Sequence, residues 1–143
     1  MNHNQGLSGL EALFGPPWAA ATGLDESSFR LTLLRGVGQI AGDPWLVTLP
    51  CTGESPLHDD LVRFGECTLH LFSSDASGDR RAGDLSGGWW EGTKEPGLFV
   101  RSPLYSAFPL ALECLLRERL TCLDRILFIA EVAFIHRFDG PSS

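Results

Sequence analysis

Positive charge is scarce in this chain. Eleven Lys and Arg residues stand against 18 Asp and Glu, which leaves a formal net charge of −7 at pH 7. No dense basic stripe offsets that balance, and this excludes binding of a phosphate backbone as the main task. Long apolar runs are missing as well. The residues are 43% hydrophobic, yet no run is long enough to span a bilayer. No signal-peptide pattern opens the chain and no repeat period is visible. Cysteine motifs are absent: Cys51, Cys67, Cys114 and Cys122 show neither CxxC nor Cys/His zinc spacing. They read as reduced, mostly buried thiols of a cytoplasmic protein. His3, His58, His70 and His136 are scattered, so no sequence-local metal site is expected.

What remains is a soluble chain of 143 residues, enough for one domain with a real core. Its 16 glycines and 9 prolines fall between apolar segments, which predicts many turns and short strands. Ser8-Gly9-Leu10-Glu11 has a capping-box pattern and predicts a short N-terminal helix, with residues 1–15 as helix and tail. Trp18–Thr22, Phe29–Leu34, Trp45–Leu49, Cys67–Ser73, Leu110–Arg117 and Arg125–Arg137 read as strands. Ser55-Pro56 starts a helix that Gly65 ends. Residues 74–86 read as loop. Arg125–Arg137 is apolar on both faces, which places it mid-structure or at a subunit interface. Many strands, one mid-chain helix and no βαβ rhythm predict a mainly β, antiparallel barrel with one or two short helices.

The segment Arg35–Pro50 organises the chain. Gly36, Gly38 and Gly42 run into a turn before the strong strand at Trp45. Glycine within a strand marks a bulge or the close approach of another body. The segment is therefore either a bulged barrel corner or a loop that holds a flat or phosphorylated ligand on main-chain amides.

Segment order resembles the flavin reductase-like, FMN-binding split-barrel family over residues 16–139. Asp43-Pro44-Trp45-Leu46-Val47 is similar to the family's Asp-Pro-Pro-Leu-Val strand. Leu57–Gly65 resembles its Thr-His-Glu-Leu-Ile-Arg helix and closing glycine, and Leu110-Ala111-Leu112-Glu113-Cys114 its Trp-Leu-Glu-Cys strand. Asp124–Val132 is similar to Asp-His-Thr-Leu-Phe-Ile-Gly-Glu-Val, the most specific match of the set. The resemblance implies a split β-barrel, a homodimer, FMN as cofactor and NAD(P)H as substrate. It also places FMN contacts at Arg35, Gly36, Gly38 and Gln39, at Thr52 and Ser55 before the helix, and at Asp124 in the last turn. Trp89, of the pair Trp89-Trp90, is a candidate to stack on the isoalloxazine.

The chain departs from the family at the contacts themselves. The hydroxyl-rich segment of the family falls on Leu33–Ala41, which carries no hydroxyl, and Glu54 stands where a basic residue is usual. Arg35 is the replacement donor the sequence offers. Two other readings follow. One is a split barrel without flavin that serves as a dimeric binding or structural protein. The other rests on Gly87–Gly92 and Gly97–Val100, similar to the Gly-Trp-Trp-x-Gly…Gly-Leu-Phe core of SH3 modules, and implies a proline-rich partner.

Overall fold

A computed structural model of the protein describes residues 17–71 and 94–138. The predicted N-terminal helix, Trp89-Trp90 and the 74–86 loop lie outside the described residues. Among the described residues there are nine strands: β1 (Trp18–Thr22), β2 (Arg30–Leu34), β3 (Gly38–Ile40), β4 (Leu46–Thr52), β5 (Glu66–Leu71), β6 (Lys94–Pro96), β7 (Pro103–Tyr105), β8 (Leu110–Cys122) and β9 (Arg125–Arg137). Among the same residues one α-helix, α1 (Pro56–Phe64), joins β4 to β5. A single 3-10 turn (Glu26–Ser28) precedes β2.

Seven strands form one antiparallel sheet in the order β2-β1-β5-β8-β9-β4-β3, and β6 pairs with β7. The two edges of the large sheet, β2 and β3, are consecutive in sequence. Only Arg35, Gly36 and Val37 lie between them, so Leu34 and Gly38 are within about 14 Å of each other. A flat sheet of this size sets its edge strands about 29 Å apart, six strand spacings. The sheet must therefore roll until its edges nearly meet. It is an antiparallel split barrel, and the three-residue bridge spans the split.

The core follows from strand alternation. Trp18 and Ala20 of β1 face inward with Leu34, Val47, Leu49, Leu69, Leu112, Phe128 and Ala130. Ala19 and Ala21 face outward, where Leu31, Tyr105 and Phe108 cover them. A strand buried on both faces between two neighbours needs small residues, and the Ala-Ala-Ala run supplies them. Cys67 and Cys114 sit opposite each other in the β5–β8 register, fully buried, and the four cysteines form no disulfide.

Helix α1 begins and ends where its caps dictate. The Ser55 hydroxyl accepts from the Leu57 N–H at 3.1 Å, and Pro56 takes the first turn. Gly65, at φ 71°, donates its N–H to the Leu61 carbonyl. Leu57 and Leu61 enter the core, while Asp60 accepts from the Thr22 hydroxyl (3.0 Å) and Arg30 Nε (2.7 Å).

The outer face of β5 is polar, and it holds residues 97–105 against the barrel. Glu66, Thr68 and His70 alternate on that face, with Glu113 of β8 opposite Thr68. The Glu66 carboxylate accepts from the Arg101 and Ser102 amides, and the Thr68 hydroxyl donates to the Pro103 carbonyl at 2.6 Å. His70 is fully buried. Its Nε2 accepts from the Tyr105 N–H (2.9 Å), so its Nδ1–H donates to the Ala19 carbonyl (3.2 Å). Glu113 accepts from the amides of Leu98, Phe99 and Val100 and from His136 Nε2.

The β8–β9 hairpin is the longest feature, with 13 residues in each strand. Strand β8 runs five residues beyond Arg117, where its sequence pattern weakens. Residues 117–122 are exposed, so no alternation betrays them, and pairing with β9 alone keeps them extended. Arg119 Nη1 donates to His58 Nε2 at 3.0 Å and ties this distal half to α1. Strand β9 lies mid-sheet between β4 and β8, which accounts for its two apolar faces.

Candidate functional site

A groove of about 940 Å³ lies at the split. The bridge supplies Arg35 and Gly36, β4 supplies Pro50, Cys51 and Thr52, and β8 supplies Leu120 and Cys122. The hairpin turn and the start of β9 complete it with residues 124–127. Its position follows from the topology. Strand β3 pairs with Leu46–Thr48 of β4, so among the described residues Leu49–Thr52 lack a neighbour strand on that side. That open stretch is where β4 tolerates Pro50, which has no N–H for a ladder. Gly36 adopts φ 79°, a left-handed turn that glycine takes without strain, and so lets the bridge close over the open edge.

The floor is apolar and the walls carry charge. Pro50, Leu127 and Leu120 form one cross-strand row on the outer face of the sheet. Burial pushes the Cys51 thiol up from its ordinary value, so it stays neutral at pH 7. Arg35 is exposed and makes no hydrogen bond or ion pair among the described residues. Arg125 Nε lies 3.6 Å from Asp124 Oδ1, but both side chains are largely exposed, and such a pair holds its partners weakly. The groove thus offers guanidinium groups at two places beside an apolar surface.

Four of the residues singled out in the sequence meet here: Arg35, Gly36, Thr52 and Asp124. The others stand elsewhere. The Gly38 N–H donates to Thr48 Oγ1 at 3.1 Å, and a Cβ at Gly38 would come within 2.5 Å of that oxygen. Its position is therefore set by the β3–β4 pairing. Gln39 is exposed on β3 opposite Val47. Ser55 caps α1 beside the groove, not on its lining. Trp89 lies outside the described residues. Sequence reasoning left Leu120, Cys122 and Arg125 out of the site. The available signal was the long apolar strand at Arg125–Arg137, which needs an equally long partner strand to pair with it.

No family model matches the chain, and no curated protein matches it. Solved structures do. The fold is similar to BorF, the flavin reductase component of a bacterial two-component tryptophan halogenase, with TM-score 0.73 and 16% identity over 96% of this chain and 89% of that one. It is similar to the NADH:FAD oxidoreductase SgcE6 of Streptomyces globisporus (TM-score 0.71, 16% identity, 96% and 86% of the two chains). It is also similar to an FMN-binding protein from Thermus thermophilus (TM-score 0.72, 15% identity, 86% and 71%). The chain has the split-barrel fold of flavin reductases and FMN-binding proteins.

Proposed function

We propose that the groove binds a flavin, FMN, and that the protein is a flavin reductase-like oxidoreductase using NAD(P)H. The observation that carries this reading is the convergence of Arg35, Gly36, Thr52 and Asp124 on one groove at the split. The donor set fits such a ligand. An apolar row accepts a flat ring system, and a guanidinium without a partner among the described residues donates to a phosphate through parallel N–H groups.

Arg35 holds the phosphate in place of the family's hydroxyls, which Leu33–Ala41 lacks. Thr52, exposed at the end of β4, adds a hydroxyl donor. The row Pro50–Leu127–Leu120 supports the rings and excludes water from one face. When bound, the flavin supplies the hydride chemistry, so the protein contributes position and electrostatics and needs no acid–base side chain. The site is completed across a homodimer, and the protein is cytoplasmic.

The test is direct. Concentrated protein should be yellow or bind added FMN stoichiometrically, with quenching of flavin fluorescence, and should oxidise NADH or NADPH in its presence. Colourless protein that leaves FMN fluorescence unchanged overturns the proposal and leaves a split barrel without flavin.

A further inference from the structure

Residues 97–105 are attached to the barrel by side chains rather than by a ladder. Among the described residues β7 pairs with β6 in a sheet of two, and no ladder joins it to the seven-stranded sheet. Five consecutive amides go to two carboxylates. Those of Leu98, Phe99 and Val100 are held by Glu113, and those of Arg101 and Ser102 by Glu66. The Pro103 carbonyl takes the Thr68 hydroxyl, and the Tyr105 N–H goes to His70 Nε2. Three of these four side chains can be protonated, whereas the ladders of the large sheet are backbone bonds that do not titrate.

Protonation undoes such attachments in one direction. His70 Nε2 can accept from Tyr105 only while the ring is neutral, because both nitrogens of an imidazolium are donors. A protonated Glu113 likewise gives up much of its strength as an acceptor. The Tyr105 and Phe108 rings lie against His70, with centroids at 5.4 and 5.1 Å, and β1 brings it the Ala19 carbonyl but no titratable side chain. Around it stand His136, opposite Ala111 on β9, then Glu66 and Glu113, and the Arg117–Glu131 pair further along β8 and β9. Lys94, Glu95 and Arg101 lie on the side of β6 and residues 97–105. Burial, against the bond to Ala19 and aided by His136, lowers His70 from 6.5 to about 4.

We propose that residues 97–105 form an acid-released strap, which opens from the barrel on proton uptake at His70 and Glu113 while the seven-stranded sheet stays paired. Opening takes the Tyr105 amide and ring away from His70, which then meets water and titrates as an ordinary histidine. The open form thus takes up a proton that the docked form refuses, so docking is full above pH 6.5 and weakens as pH falls towards 4. The opening constant should rise about a hundredfold between pH 7 and pH 4 from His70 alone. Opening also uncovers Ala19, Ala21 and Leu31, which Tyr105 now covers. The proposal is independent of the flavin reading.

The test is native-state hydrogen exchange of the full-length protein in low urea, corrected for intrinsic rates. The amides of Phe99, Val100 and Tyr105 should exchange through an opening that urea barely affects and acid promotes about a hundredfold. The ladder amides of β5, β8 and β9 should be better protected and open with the full urea dependence of unfolding. His70→Gln, which keeps an acceptor but does not titrate, should remove the pH dependence above pH 4.5. Thr68→Val should raise the opening constant up to tenfold at every pH and leave its pH dependence intact. Exchange of these amides only together with the ladders, opening that does not change between pH 7 and 4, or an unaltered pH dependence in His70→Gln each overturns the proposal.

Discussion

The polar wall beneath residues 97–105 and the groove at the split use charged residues in opposite ways. In the wall, Glu113 and His70 have no exposed surface, and their acceptors and donors are matched by amides, a carbonyl and His136. In the groove, Arg35 stands in solvent without a partner among the described residues, and Arg125 has only an exposed neighbour at 3.6 Å. A buried polar group without a partner costs free energy, so the wall is complete within the chain. An exposed cation costs little to leave open, so the groove's charges are not needed by the fold. Satisfied buried polar groups hold the fold together, whereas the exposed charges of the groove add little to it.

The largest effect should come from emptying the wall. Glu113→Ala leaves three amides and His136 without their shared acceptor and should cost about 3–5 kcal/mol in urea unfolding, as for a broken buried charge pair. A loss under about 1 kcal/mol would show that the wall is no more demanding than the surface.

The pH dependence of stability comes next. Burial lowers His70 from 6.5 to about 4, against its hydrogen bond to Ala19. Below pH 6.5 the unfolded chain takes up a proton at this histidine that the folded protein refuses. Stability should therefore be full above pH 6.5 and fall towards pH 4, by about 3 kcal/mol from this residue. At Glu113, burial raises the pKa, but the hydrogen bonds from His136 and the amides of Leu98, Phe99 and Val100 outweigh it and hold the carboxyl below its ordinary 4.5. Its contribution is present above pH 4.5 and is lost as pH falls through the lowered folded value. His70→Gln should flatten the upper part of the profile. A profile that stays flat from pH 7 to 4 in the unaltered protein contradicts this account of the wall.

The groove should behave in the reverse sense. Arg35→Ala should leave the unfolding midpoint within about 0.5 kcal/mol while weakening FMN about tenfold. Tight FMN binding that Arg35→Ala does not alter removes Arg35 from the phosphate. The smallest effect belongs to Asp124→Asn. Breaking an exposed pair should move stability by less than about 0.5 kcal/mol, and freeing Arg125 should raise FMN affinity slightly at low salt and not at high salt.

Much of the fold was legible in the sequence because its signals are local. Ser55-Pro56 and Gly65 bound α1 as their cap chemistry requires, and Trp18–Thr22 and Arg125–Arg137 are strands over those same residues. The order of segments pointed to a split barrel, and the sheet order shows one. Of the residues singled out in the sequence, Arg35, Gly36, Thr52 and Asp124 line the groove, since Arg35 and Gly36 flank the split and Thr52 ends the strand beside it. What escaped was non-local. Residues 117–122 of β8 are strand only because β9 pairs with them, so Leu120 and Cys122 carried no sign of the groove they line. The wall was hidden because Glu66, Thr68, His70 and Glu113 look like ordinary polar positions on two strands until residues 97–105 fold over them.

The bridge of Arg35, Gly36 and Val37 does two jobs with one length of chain. It sets how far apart the barrel's free edges stand, and it forms one wall of the groove. Gap width and groove size are thus a single variable in this architecture. Two extra residues in the bridge would add about 7 Å of reach, let the edges part and carry Arg35 away from Thr52. Loop length here works as a gauge that sizes the opening, which a change of side chain alone cannot do.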